Sequence, residues 1–142
     1  MKKLCLIIFI YLLTNNIVKS QVTNERDTLG YLKTIESNKA NYIGKPFSVL
    51  LKDLKFQIKF FSPFASLPYD KTKETSTSFS FYFPLTEHEI YLTYPCLEIY
   101  WLTPMNATQS TSMYSIYRSV GWNDEIASFY KTGIIADIKV IE

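Results

Sequence analysis

The chain has 142 residues, with 15 Lys and Arg against 13 Asp and Glu and a formal net charge of +2. Lys2, Lys3 and Lys19 all fall in the first twenty residues, so the remainder holds 12 basic against 13 acidic residues. That balance excludes the persistent basic stripe of a nucleic-acid binder.

The N-terminus reads as an export signal over residues 1–20. Lys2 and Lys3 form a positive start, Leu4 to Leu13 is an unbroken apolar stretch, and Thr14 to Asn16 open a polar region. Val18 and Ser20 sit three residues and one residue before a cut ahead of Gln21, as signal peptidase requires. Ten apolar residues cover only about half of the roughly 20 that a bilayer-spanning helix needs. No membrane span is therefore expected after cleavage, and the expected location is periplasmic or extracellular. Cys5 leaves with the signal, so Cys96 stands alone and no intrachain disulfide is possible in the mature chain. The 122 residues left are enough to bury a core without one.

Residues 21–27 are polar and read as a flexible N-terminus, followed by a single domain over 28–142. Leu29, Leu32 and Ile35 predict a short helix, with Asp27 or Thr28 as its cap. Gly44-Lys45-Pro46 is a turn, and Phe47, Leu50, Leu51 and Leu54 follow at helical spacing. The period then changes to two. Phe56, Ile58 and Phe60 alternate with Gln57, Lys59 and Phe61, which predicts a strand. Ser62 to Lys73 reads as a loop that ends in the charged run Asp70 to Glu74, and Thr75 to Phe83 as a strand. Glu87-His88-Glu89 is placed in a turn before a strand at Ile90 to Tyr94. Pro95 interrupts, and Leu97 to Trp101 resumes the alternation. Residues 103–112 read as a second polar loop, and Met113 to Val120 fits a strand or a helix. Trp122 to Lys131 is predicted helical with Asn123 as cap, and Ile134, Ala136, Ile138 and Val140 mark a last strand. The order predicts an α+β fold: an antiparallel or mixed sheet of four to six strands with two or three helices packed on one face.

Residues able to carry chemistry are few. A lone His88 between Glu87 and Glu89 cannot surround an ion unaided, so neither a metal nor a cofactor is expected. A Cys96–His88 pair would need a third group to orient it. The aromatic content is the unusual property: 10 Tyr, 9 Phe and 2 Trp follow residue 20. With Leu97, Ile99 and Trp101 facing inward, Glu98 and Tyr100 face outward. Together with Tyr91 and Tyr94 they form the candidate binding surface, since tyrosine offers rigid contact area to proteins and sugars. Glu87, His88, Glu89 and Cys96 are the alternative site. Two modification patterns also occur, the sequon Asn106-Ala107-Thr108 and the Asp27-Thr28-Leu29 triplet of an O-glycan site.

The segment from Tyr42-Ile43-Gly44-Lys45-Pro46-Phe47 to Leu54, the aromatic strands and the closing Gly121-Trp122 unit resemble small exported proteins of Bacteroidota with no assigned function. The Gly-Lys-Pro turn and the helix after it are also similar, over some fifteen residues, to the opening of PASTA domains, which bind peptidoglycan. Neither likeness carries a functional residue over.

The function expected from these features is that of an exported, non-catalytic binding domain for a protein, peptide or glycan. One version is an inhibitor or immunity protein for a secreted toxin or hydrolase. The competing expectation is a small periplasmic hydrolase using His88 and Cys96 or a carboxylate pair. Oligomeric state is not legible.

Overall fold

The computed structural model describes residues 28–84 and 94–142, and among these described residues it has four helices and four strands. Helix α1 spans 28–37 and ends in a 3-10 turn, Lys39–Asn41. Helix α2 (Phe47–Asp53), strand β1 (Phe60–Phe64) and strand β2 (Lys73–Ser80) follow. After β3 (Cys96–Asn106) come α3 (Ala107–Tyr117), α4 (Asp124–Tyr130) and β4 (Ile135–Ile141). The strands form one sheet in the order β1-β2-β3-β4, every pair antiparallel. This is the α+β fold expected from the sequence, with four described strands at the lower end of the expected four to six. Among the described residues no helix is long and apolar enough to cross a membrane.

Alternation along the strands divides the sheet into two faces. Phe61, Phe79, Leu97, Ile99, Trp101, Ile135 and Ile138 point to the helices and join Leu32 and Ile35 of α1, Phe47 and Leu50 of α2, Met113 of α3 and Ile126 and Tyr130 of α4. Aromatic rings fill the centre. Tyr130 is stacked between Trp101 (5.7 Å between centroids) and Trp122 (6.3 Å), while Phe79 meets all three rings edge-on. Phe47 of α2 stacks on Phe79 at 4.8 Å. Such pairs add about 0.5–1.5 kcal/mol each beyond their buried area.

Several boundaries differ from those predicted. The first strand begins at Phe60 and runs through Ser62 and Pro63, where the sequence predicts a loop. β1 lies at the edge of the sheet, where a proline is tolerated because its missing N–H faces away from the ladder. Phe60 and Phe61 therefore point to opposite faces. Phe60 is nevertheless buried, against Phe83 and Tyr114. The predicted polar loop at 103–112 is not a loop: β3 continues to Asn106, and α3 starts immediately after it. Asn106 accepts a hydrogen bond from Gln109 N (3.0 Å), and the small buried residues Ala107 and Ser110 let the helix approach the sheet closely. The predicted alternation of β4 also shifts. A register change between Tyr100 and Trp101 pairs Ile135 with Trp101 and Ile138 with Ile99, so these two isoleucines, three apart, share the inner face. The predicted turn at Glu87–Glu89 and residues 90–93 of the strand predicted at Ile90 to Tyr94 lie outside the described residues.

At the other edge, β4 is lined by the segment before α2. Gly44 N donates to Ile135 O (2.8 Å), Ile135 N donates to Lys45 O (3.0 Å), and Val140 N donates to the Glu36 carboxylate of α1 (3.1 Å).

The Asn123 cap stands as predicted: its Oδ1 accepts from Glu125 N (3.0 Å) and Ile126 N (3.1 Å). Asn123→Ala is expected to cost about 1 kcal/mol, within the roughly 0.5–2 kcal/mol range for lost caps. Urea unfolding at constant m-value checks this.

Candidate functional site

The face of the sheet away from the helices is ordered in three rows by strand register. Phe60, Ser80, Cys96 and Ile141 form one; Ser62, Ser78, Glu98 and Lys139 the next; Phe64, Ser76, Tyr100 and Asp137 the third. The β1–β2 half is closed, with Phe60, Ser62 and Ser76 buried. The β3–β4 half is open: Glu98, Tyr100 and Asp137 are half-buried and Lys139 is exposed.

Glu98 organises the open half. One carboxylate oxygen accepts from Ser76 Oγ at 3.0 Å and the other from the Tyr100 hydroxyl at 2.9 Å. Lys139 Nζ lies 4.9 Å from the centre of the Tyr100 ring, a cation–π contact. Burial first, then the bond to Glu98, pushes the Tyr100 phenol above its ordinary range, so it stays a neutral donor. Beside it, the Asp137 carboxylate pairs with Lys39 Nζ at 2.6 Å, which holds Asp137 below the usual carboxylate range. The arrangement is an aromatic ring set among two anions and two cations.

Of the predicted surface, Glu98 and Tyr100 are joined directly by a hydrogen bond. Tyr94 is half-buried and stacks on Tyr82 at 4.7 Å. Tyr91, Glu87, His88 and Glu89 lie outside the described residues. Cys96 is 7 % exposed, and its sulfur accepts from Ser78 Oγ at 2.9 Å. Burial pushes its thiol up, away from the thiolate that a nucleophile needs. Among the described residues no three His, Cys, Asp or Glu side chains converge as metal ligands would. Thr28 is buried with its hydroxyl against Tyr82, which speaks against an O-glycan there.

Sequence reasoning missed Ser76, Lys139 and Asp137. Ser76 carried a signal in the Ser/Thr alternation of residues 75–80. Lys139 and Asp137 had none, because their place beside Tyr100 depends on β4 pairing with β3. A groove of about 310 Å³ was also missed; it opens on the helix side, where Leu54, Lys55 and Phe56 face Trp122.

No protein family, curated protein or solved structure matches the chain. The site geometry alone has to indicate what the chain does.

Proposed function

We propose that this chain is exported and acts as a non-catalytic binding module, with the open half of the outer sheet face as its contact surface and Tyr100 as the anchor. The observation that supports this most is the Ser76–Glu98–Tyr100–Lys139 arrangement, which fixes an aromatic side chain on a rigid strand before any partner arrives. Preorganisation of this kind lowers the entropy lost on binding. The ligand class is a protein, a peptide or a glycan, and an inhibitor or immunity role would use the same face.

The test is binding of residues 21–142 to immobilised envelope proteins and to a glycan array, with Tyr100→Ala and Cys96→Ala compared. Tyr100→Ala is expected to weaken capture at least tenfold, a loss of about 1.4 kcal/mol. Cys96→Ala should leave it unchanged. Equal capture by Tyr100→Ala and the parent chain would remove this face from consideration. A hydrolytic activity abolished by His88→Ala or Cys96→Ala would favour the enzyme reading instead.

A further inference from the structure

A carboxyl group lies inside the core, at the end of the charged run Asp70 to Glu74. Glu74, at the bulge of β2, is 0 % exposed. Its Oε1 takes two hydrogen bonds, one from the Tyr130 hydroxyl of α4 at 2.9 Å and one from the Thr77 hydroxyl. Thr77 in turn accepts the indole N–H of Trp101 on β3 at 2.8 Å. Oε2 is buried and makes no hydrogen bond.

The elements packed around this carboxyl bring it no counter-charge. Tyr130 is the titratable group that faces it, and it is neutral: burial and the neighbouring carboxyl push its phenol far above the ordinary range. β2 and β3 contribute Thr77 and Trp101, and α3 contributes Ser110. The core residues that α1 and α2 contribute, Leu32, Ile35, Phe47 and Leu50, carry no charge. Among the described residues no Lys, Arg or His pairs with Glu74.

An ionised carboxylate held this way would strand one charged oxygen in a dry interior, which is far costlier than burying a neutral acid. A proton resolves the mismatch. With Oε1 already taken by two donors, the proton belongs on Oε2. Ser110, fully buried, faces the carboxyl group and gives its own hydrogen to Ala107 O (3.2 Å), which leaves its lone pairs free to accept.

We propose that Glu74 is a proton-operated latch, which in its neutral form clamps β2 to α3 and α4 and on ionisation loosens them. Ionisation sends the proton to solvent and obliges Ser110 to turn from Ala107 towards the new charge. The first turn of α3 loses a bond and the core gains an uncompensated anion. Burial raises the folded pKa of Glu74 above the ordinary value of 4.5, against the pull of the surrounding hydroxyls. The sign follows: the stabilisation is complete below the unfolded pKa and is lost as pH rises through the folded one. Within that window the opening equilibrium grows tenfold per pH unit, since one proton is released.

The experiment compares the parent chain with Glu74→Gln, the neutral isostere, by urea unfolding and amide exchange across a pH series. The ratio of their unfolding constants should rise tenfold per pH unit within the window, with fast-exchanging amides concentrated in β2, α3 and α4. Parallel pH profiles for the two chains would overturn the latch. A second readout needs no variant: the carbon-13 resonance of the Glu74 carboxyl in the parent chain. Its titration midpoint should lie above the ordinary carboxylic range, and a midpoint at or below that range would overturn the proposal even if Glu74→Gln fails to fold.

Discussion

Tyr130→Ala is expected to destabilise the chain by about 3–5 kcal/mol, the range for removing a large buried aromatic side chain. Typical domains have only about 5–15 kcal/mol to lose, so the variant should be partly unfolded at moderate temperature. Three separate losses combine at this position. The stack between Trp101 and Trp122 is emptied at its middle, Phe79 and Phe61 lose an edge contact, and the Glu74 carboxyl loses a donor. Tyr130→Phe separates them, because it keeps the ring and deletes only the hydroxyl. Its cost should be about 1–3 kcal/mol, that of leaving a buried acceptor short of a partner. Urea unfolding of both variants checks the split. A Tyr130→Phe cost equal to that of Tyr130→Ala would put the weight of this position on the hydrogen bond rather than on the ring.

Gly121→Ala is expected to cost about 3 kcal/mol, for two independent reasons. Gly121 has φ +84°, a left-handed conformation that costs an L-residue with a Cβ about 1–2 kcal/mol. An added Cβ would also come within 2.4 Å of Lys59 O and 2.9 Å of the Phe83 ring. The first of these is backbone, and that same carbonyl accepts Trp122 N at 2.9 Å, so it cannot step aside freely. Overpacking of this kind adds about 1–3 kcal/mol. The control is Gly30→Ala in α1, where nothing lies within 4 Å of the new Cβ. There the change should stabilise by about 0.5–1 kcal/mol, because alanine restricts the unfolded chain and suits a helix. Thermal or urea melts of the two variants should therefore shift in opposite directions.

How much of this was legible in the sequence depended on whether periodicity alone could decide. The outward placement of Glu98 and Tyr100 could be read from Leu97, Ile99 and Trp101, because strict alternation leaves one solution. The face of Phe60 could not be read. Phe60 and Phe61 are equally apolar neighbours, and only pairing with Ser80 and Phe79 tells them apart. α3 was hidden for a different reason. Two of its three inward residues, Ala107 and Ser110, are small and, in one case, polar, so the stripe that marks a helix was missing over its first turns although the Asn106 cap was present. Glu74 was illegible altogether. It ends a charged run, and nothing nearby in sequence marks the Trp101, Ser110 and Tyr130 partners that distant elements bring to it. The half-exposed strip beside Tyr100 has the same character: two of its charges arrive on β4, the last strand of the chain.

The treatment of the two sheet edges bears on how this chain behaves at high concentration. An unprotected outer strand offers a template on which a second copy can add, the first step towards fibrils. Here neither border is a good template. Pro63 interrupts the donor row of β1, while Gly44, Lys45 and Glu36 already occupy backbone groups along β4. Self-addition would have to break native bonds on one side and bridge a missing donor on the other. A fold this rich in aromatic residues, whose described cysteine, Cys96, is free, thus carries its own safeguard against strand-by-strand aggregation.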